Sequence, residues 1–269
     1  MAHCHSDRII KNCKGEDEPH WQTPVTISAE SGPLHGPVLL DQRWRDLAFL
    51  HWRVSAALVA PLLPAGTRPD VHDGTSWVGL IPFRLTEARF GHGPALPYVG
   101  SFPEMNVRLY SVDANGRRGV VFRSLEASRL AFVLGARWTL GLNYTWARMQ
   151  IEEHDNVVTY RSRRRWPAPR GAASRVVVRI GSSALPDIRL ATFLTARWGL
   201  HTHHLGRLLY LPNRHERWPL VTAELLELDD DLVAAAGLPG VTSRPPDSVL
   251  FSRGVRTEFG RPEISEVRD

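Results

Sequence analysis

A chain of 269 residues with 43% hydrophobic and 23% charged side chains can bury a sizeable core, and fits a soluble globular protein built as one large β-rich domain or two smaller ones. Its formal charge of +5 comes almost wholly from arginine, since Lys11 and Lys14 are the only lysines. No run approaches the ~20 uncharged residues that span a bilayer, which excludes a helical membrane protein and predicts no membrane partner.

Met1 to His20 is polar and charged, without the apolar region of a secretion signal, so the expected location is cytoplasmic. Both cysteines, Cys4 and Cys13, fall in this stretch, and the body therefore has no disulfide framework. His3-Cys4-His5 with Cys13 matches none of the compact zinc spacings. Residues 1–37 read as a disordered leader, 38–259 as a single domain and 260–269 as a tail.

Within the body, Leu47 to Val54 reads as a strand, and Ser55 is placed to cap a short helix from Ala56 to Leu63 that Pro64 and Gly66 close. Ser76 to Phe83 alternates as a strand, and Gly91 to Pro97 is a loop. Glu104 to Val112 and Gly119 to Ser124 form two further strands joined through Asp113-Ala114-Asn115-Gly116, whose Asn-Gly pair is a strong hairpin signal. A helix is expected from Glu126 to about Trp138. Tyr144 to Glu152, Val157 to Arg165 and Arg175 to Ile180 read as an antiparallel meander, followed by a second helix from Ile188 to Leu200. Leu205 to Leu211 and Leu220 to Leu228 are strands, and Asp230 to Ala236 is a short helix ended by Gly237. Strands outnumber helices and most connections are hairpin-like, so the fold class is α+β with one large, barrel-like antiparallel sheet system.

The stretch Phe102-Pro103-Glu104-Met105-Asn106-Val107-Arg108-Leu109-Tyr110 carries the chemistry. In an extended chain Glu104, Asn106, Arg108 and Tyr110 share one face and Met105, Val107 and Leu109 the other. An acid, an amide, a cation and a phenol together can grip a small oxygenated ligand. The four are expected to face a barrel interior while the aliphatic residues pack against a helix. Arg108 offers a carboxylate a bidentate fork, Glu104 is the candidate general acid or base if burial raises its pKa, and Asn106 or Tyr110 can polarise a carbonyl. On the neighbouring strand His51 and Arg53 share a face and are expected to point into the same cavity, with Trp52 and Val54 behind. Tyr144 and Arg148 are weaker candidates of the same kind. Arg137 and Arg197, each followed by Trp, read as helix-to-sheet anchors.

Two other clusters stand out in the sequence. Arg161, Arg163, Arg164, Arg165 and Arg170 form the candidate nucleic-acid patch, but without a nucleic-acid-binding signature the alternation reads as a solvated strand face, and no nucleic-acid partner is expected. His201-Thr202-His203-His204, with His215 and Glu216 nearby in sequence, lacks a further ligand at diagnostic spacing and reads as a loop; no metal and no cofactor are expected.

The succession Phe49-Leu50-His51-Trp52-Arg53-Val54, Leu62-Leu63-Pro64, Trp77 to Phe83, Glu104-x-Asn106-Val107-Arg108-x-Tyr110, Gly119-Val120-Val121-Phe122-x-Ser124-Leu125, Phe193 to Trp198, His215-x-x-Trp218-Pro219-Leu220 and Gly254-Val255 resembles the YqjF/DUF2071 family. The match runs in order through almost the whole body. That family is similar in fold to acetoacetate decarboxylase, which implies a curved, cone-like antiparallel β-barrel with a few edge helices and a ligand cavity. The resemblance carries no established activity. Acetoacetate decarboxylase itself needs a desolvated lysine beside another positive charge to form a Schiff base. Here Lys11 and Lys14 lie in the leader, and the strand resembling the lysine-bearing one offers Glu104, Asn106 and Arg108; an arginine, protonated below ~12, cannot be that nucleophile. The expectation is a small-molecule-binding protein or lyase-like enzyme for an anionic or carbonyl-bearing organic ligand, without a Schiff-base lysine. The alternative is a non-catalytic interaction or scaffold protein whose polar barrel interior is purely structural. A homo-oligomer is compatible with either.

Overall fold

A computed structural model describes residues 27–182, 185 and 187–265. From β1 (Leu40–Val54) the chain runs through α1 (Ala56–Val59), β2 (Thr67–Pro69), β3 (Ser76–Phe90), β4 (Phe102–Asp113), β5 (Arg118–Ala127), α2 (Leu130–Leu140), β6 (Tyr144–His154), β7 (Val157–Trp166) and β8 (Ala173–Ile180). It continues through α3 (Ile188–Thr195), β9 (Gly199–His204), β10 (Arg207–His215), β11 (Leu220–Asp230), α4 (Leu232–Ala235), β12 (Ser248–Phe259) and β13 (Glu263–Ile264). Local chemistry sets the joints. Ser55 caps α1 by accepting from the Leu58 N–H at 3.2 Å. Asp113 Oδ1 accepts from the N–H groups of Asn115 and Arg117, and Gly116, at φ 77°, turns β4 into β5.

Among the described residues these strands form one sheet, ordered β13-β10-β9-β5-β6-β7-β8-β11-β12-β1-β3-β4-β2, and it closes twice. Pairing of β4 with β5 closes β5, β6, β7, β8, β11, β12, β1, β3 and β4 into a nine-strand barrel. A second ring forms because β9 pairs in parallel with the first part of β5, through Leu200 and Val120, while β10 pairs with β12 through Asn213, Arg214 and His215. The last part of β5, Leu125 to Ala127, is paired in parallel with β6 instead. The strands β12, β1, β3, β4 and β5 are thus a wall common to both rings.

That wall is packed on both faces. Met105, Val107 and Leu109 join Leu50, Trp52, Val78, Leu80, Tyr160, Val176, Val178 and Phe251 in the nine-strand barrel, with Leu232 and Val233 of α4 in the same cluster. Each such fully buried side chain stabilises the fold by about 1.5–3 kcal/mol. On the opposite face Tyr110 packs with Trp77, Val120, Phe193, Leu194, Leu200 and Leu211, and Phe49, Ile81 and Leu125 pack with Val133 of α2, Ala191 of α3 and Trp218.

The expected placement is corrected accordingly. Met105 and Val107 face the nine-strand lumen, and the polar residues of β4 face the second ring, because β4 belongs to an internal wall whose two faces are both buried. Two helix boundaries also change. The helix expected from Glu126 begins at Leu130, since β5 stays paired with β4 and β6 to Ala127. The helix expected to reach Leu200 stops at Thr195, and Gly199 to His204, read in part as a loop, is β9. Gly199 can sit in that strand because it has no Cβ; one would lie 2.2 Å from the Tyr210 ring. Of the segment read as leader, residues 27–37 are described: Ile27 joins the apolar cluster of the second ring, and Trp198 Nε1 donates to the Ser28 carbonyl at 3.1 Å. His3, Cys4, His5, Lys11, Cys13 and Lys14 lie outside the described residues.

Candidate functional site

Strand alternation brings Glu104, Asn106, Arg108 and Tyr110 onto one face of β4, all buried. Across the sheet Glu104 is opposite Phe83 and Ala127, Asn106 opposite Ile81 and Leu125, and Arg108 opposite Gly79 and Phe122. The apolar neighbours make this a low-dielectric setting in which each polar group counts. Gly79 matters to it directly: a Cβ there would lie 3.0 Å from the His51 ring, so its absence lets the imidazole lie against the wall.

Arg108 Nε donates to the Tyr110 hydroxyl at 3.1 Å, and Arg108 Nη2 donates to the Leu194 carbonyl at 2.9 Å. Tyr110 donates to the same carbonyl at 3.0 Å. With its proton used there, the phenol accepts from His51 Nε2 at 2.7 Å, which leaves His51 Nδ1 as a buried lone pair without a partner. Burial first, then the positive charges of Arg108 and Arg197, hold the His51 pKa well below its ordinary value, so the ring is neutral. Leu194 lies in the last turn of α3, where carbonyls have no intrahelical donor and the helix dipole is negative. That carbonyl supplies Arg108 with only partial charge. Among the described residues no carboxylate lies within ion-pair distance of Arg108, and Glu104, two turns of the alternation away on the same face, does not pair with it.

Glu104 instead accepts from the Tyr144 hydroxyl at 3.0 Å. Burial raises its pKa to about 8, the Tyr144 hydrogen bond only partly opposing, so the carboxyl is largely protonated at neutral pH. Asn106 Oδ1 is buried with no hydrogen-bond partner. The site therefore juxtaposes an uncompensated guanidinium, an unpaired amide oxygen, a protonated carboxylic acid and a neutral imidazole.

α3 is clamped over this face. Arg197, just beyond its end, donates through Nε to the Phe193 carbonyl and ion-pairs with Asp70, which also receives both Arg118 Nε and Nη2 at 2.8 and 2.7 Å. Arg197 thus serves as the anchor expected of it. Arg137 anchors α2 by donating to the Tyr144 carbonyl and stacking 5.1 Å from Trp166. Beyond α3, Trp218 donates to the Thr195 carbonyl at 3.2 Å and meets Phe49 edge-on, and Phe49 lies 5.6 Å below the Arg108 guanidinium. Trp218 also lines a cavity of about 320 Å³, with Trp198, Thr195, Ala191 and Arg217.

Other sequence candidates fall elsewhere. Arg53 is exposed, stacked 5.3 Å over Trp77, so the shared strand face with His51 does not bring it into the site. Arg148 is exposed as well. His201 is buried in β9 against Ser111 Oγ at 2.8 Å and Asp113 at 3.7 Å, which ties β9 to the end of β4. Among the described residues no group of three or more His, Cys, Asp or Glu side chains is arranged to hold a metal. Arg164 turns into the nine-strand barrel to pair with Glu126, whereas Arg163, Arg165 and Arg170 are exposed. Among the described residues no helix is long and apolar enough to cross a membrane.

Sequence reasoning did not assign His215 and Trp218 to this site. The alternation Leu209-x-Leu211-x-Asn213-x-His215 in β10 was the available signal: it turns from apolar to polar while keeping one face. His215 Nδ1 hydrogen-bonds to the Glu216 carbonyl at 2.6 Å, and its ring contacts Trp198 and Trp218. Burial, and more weakly Arg108, lower its pKa to about 4, against the opposing hydrogen bond to Glu216.

The fold is similar to that of acetoacetate-decarboxylase-like proteins. An acetoacetate decarboxylase from Legionella pneumophila superposes with a TM-score of 0.58 at 13% identity, covering 93% of this chain and 94% of that one. An acetoacetate decarboxylase-like enzyme from Sphingomonas wittichii RW1 gives 0.56 at 15% identity over 85% and 93% of the two chains. The enduracididine biosynthesis enzyme MppR complexed with pyruvate gives 0.55 at 11% identity over 87% and 92%. Residues 41–256 match the model of DUF2071, an uncharacterized conserved protein family, and the chain belongs to that family. It is 33% identical over 214 residues to the uncharacterized protein YqjF of Bacillus subtilis (strain 168), covering 79% of this chain and 86% of the relative.

Proposed function

We propose that the Arg108 face is the binding site of a small organic anion bearing a carbonyl, and that the protein is a binder or lyase-like enzyme acting on such a molecule without a Schiff base. The observation that carries this reading is Arg108: a buried guanidinium with two neutral hydrogen-bond partners and no carboxylate within ion-pair distance among the described residues. A buried charge of that kind is costly unless an anion shares its site. On the same face the protonated Glu104 can donate to a carbonyl, and the unpaired Asn106 oxygen can accept from an enol hydroxyl. Fold neighbours that include acetoacetate decarboxylase and a pyruvate complex of MppR support the same ligand class. Schiff-base chemistry is left out because the sequence holds no lysine from residue 15 onward, and Leu125 and Ala127 are the β5 residues opposite Asn106 and Glu104.

The test is equilibrium binding of pyruvate and acetoacetate to the wild type and to Arg108→Met, with thermal melts to show that both are folded. Truncating the guanidinium is expected to weaken binding by roughly 2–5 kcal/mol. Unchanged affinity in a folded variant would remove the reading and favour an interaction protein. Borohydride should trap no adduct with either ketoacid in the body of the chain.

A further inference from the structure

The helix α2 is apolar on both sides. Its inner face carries Val133 into the cluster with Phe49, Ile81 and Leu125, and Phe132 meets Phe102 and Tyr144 with ring centroids 4.8 and 5.3 Å apart. Its outer face consists of Leu130, Ala131, Leu134, Gly135, Trp138 and Thr139, all exposed and none charged. Arg137 is the one charged residue of the helix, and its guanidinium is drawn to the Tyr144 carbonyl and the Trp166 ring. A surface helix keeps charged and polar residues on its solvent side, whereas one that is apolar all round belongs in an interior.

This exposed surface continues past both ends of α2. At its start Arg129 donates to the Tyr98 carbonyl at 2.9 Å and stacks 4.2 Å over the Tyr98 ring, which is 77% exposed. At its end Thr202 of β9 donates to the Gly141 carbonyl at 3.2 Å, and Leu205, in the turn from β9 to β10, is 86% exposed. Between them Trp138 is 85% exposed, and Leu130 and Leu134 are 40% and 49% exposed. Monomeric proteins rarely leave contiguous apolar patches above a few hundred Å² in water. Trp138 and Tyr98 each have about 150–250 Å² to bury. Together with the three leucines and the small residues between them, the face approaches the roughly 800 Å² that each partner contributes to a standard interface.

The order of side chains along α2 selects the partner. Leu130, Leu134 and Trp138 form one row at a spacing of four, and Ala131, Gly135 and Thr139 form the adjoining low row. A Cβ at Gly135 would meet nothing within 4 Å, so the low row is open. A two-fold axis running along the rows lays the large row of one copy over the low row of the other, and the reverse, which is ridge-into-groove packing at a crossing of about −50°. A lipid surface would gain nothing from a low row, and a helix lying on a membrane carries basic side chains beside its apolar stripe, which the exposed face of α2 lacks.

We propose that the α2 face is the contact between two copies of this chain, with Leu130, Leu134 and Trp138 of each packed against Ala131, Gly135 and Thr139 of the other. Tyr98 and Leu205 flank the contact. The pairing does not depend on the anion reading of Arg108.

The test is analytical ultracentrifugation of the full chain from nanomolar to high micromolar concentration, with thermal melts of every variant. The wild type is expected to reach twice the chain mass, and Trp138→Ser should raise the dissociation constant at least roughly tenfold. Gly135→Gln is the sharper variant, because it puts a good helix former where a single copy has room. At dilutions where both are monomeric it should melt no lower than wild type, yet it should weaken pairing by a similar factor by filling the low row. A wild type that stays monomeric throughout would overturn the proposal, and flotation of that monomer with phosphatidylserine vesicles would assign the face to a membrane surface instead. A dimer unchanged by both substitutions would also overturn it, since the two copies would then meet elsewhere.

Discussion

Glu104 is buried with a single hydrogen-bond donor, Tyr144, and no cation within ion-pair distance among the described residues. Its proton is held more tightly in the folded chain, at a pKa of about 8, than at its ordinary 4.5. The linkage sign follows: its contribution to stability is full below about 4.5, declines as pH rises towards 8, and is flat above that, where both states are ionised. The decline amounts to roughly 3–5 kcal/mol. His215 acts in the opposite sense, because its folded pKa is lowered from 6.5 to about 4, so its contribution is lost as pH falls across that interval. Glu104→Gln should therefore flatten the stability curve between pH 6.5 and 8 and unmask the His215 decline below pH 6.5, which Glu104 offsets in the wild type, as measured by urea denaturation at a series of pH values. A variant that keeps the full alkaline decline would show that Glu104 is ionised in the folded protein.

At the scale of elements, α3 brings the Leu194 carbonyl to Arg108, and one carboxylate secures it. Asp70 is fully buried between Arg118 and Arg197. Replacing it with Asn leaves two guanidinium groups without their counter-ion, and an uncompensated buried pair typically costs 3–5 kcal/mol. Asp70→Asn is expected to lose about that much in chemical denaturation and also to weaken anion binding, since the end of α3 is no longer fixed. Stability within about 0.5 kcal/mol of wild type would show that the clamp contributes little. The joint between β1 and β12 makes a second demand. Gly254 has φ 117°, and a Cβ there would lie 1.9 Å from the Trp44 carbonyl oxygen, so Gly254→Ala should cost roughly 2–5 kcal/mol by strain and displaced pairing. A neutral result in the same assay would mean that the backbone relaxes.

For the whole molecule, the common wall predicts a separation of stability from binding. Met105→Ala opens space in the nine-strand barrel and should cost about 2–5 kcal/mol of stability. It should leave carboxylate affinity within about twofold, because the side chain points away from Arg108. Arg108→Met should show the reverse emphasis, losing binding first. Comparable binding losses in both variants would mean that the two faces are coupled through the strand.

Much of β4 is legible in the sequence. A period of two sorts Glu104, Asn106, Arg108 and Tyr110 from Met105, Val107 and Leu109 whatever the strand packs against, and Asn115-Gly116 marks the hairpin because few other dipeptides tolerate its backbone angles. The same local rules placed Ser55 at the cap of α1. They could not say which face of β4 meets which neighbour, since that depends on β9 pairing with β5 and β10 pairing with β12 across long stretches of chain. Nor could they separate His51 from Arg53, which share a strand face but lie at different depths: the first is enclosed beside Gly79 and the second has reached solvent at the strand end. Sequence alone thus determined the alternation, the turns and the absence of lysine from residue 15 onward. Tertiary structure decided that Arg108 has no carboxylate partner among the described residues, that Glu104 keeps its proton and that His215 is buried against Trp198 and Trp218, because burial and charge pairing are properties of segments brought together by non-local closure.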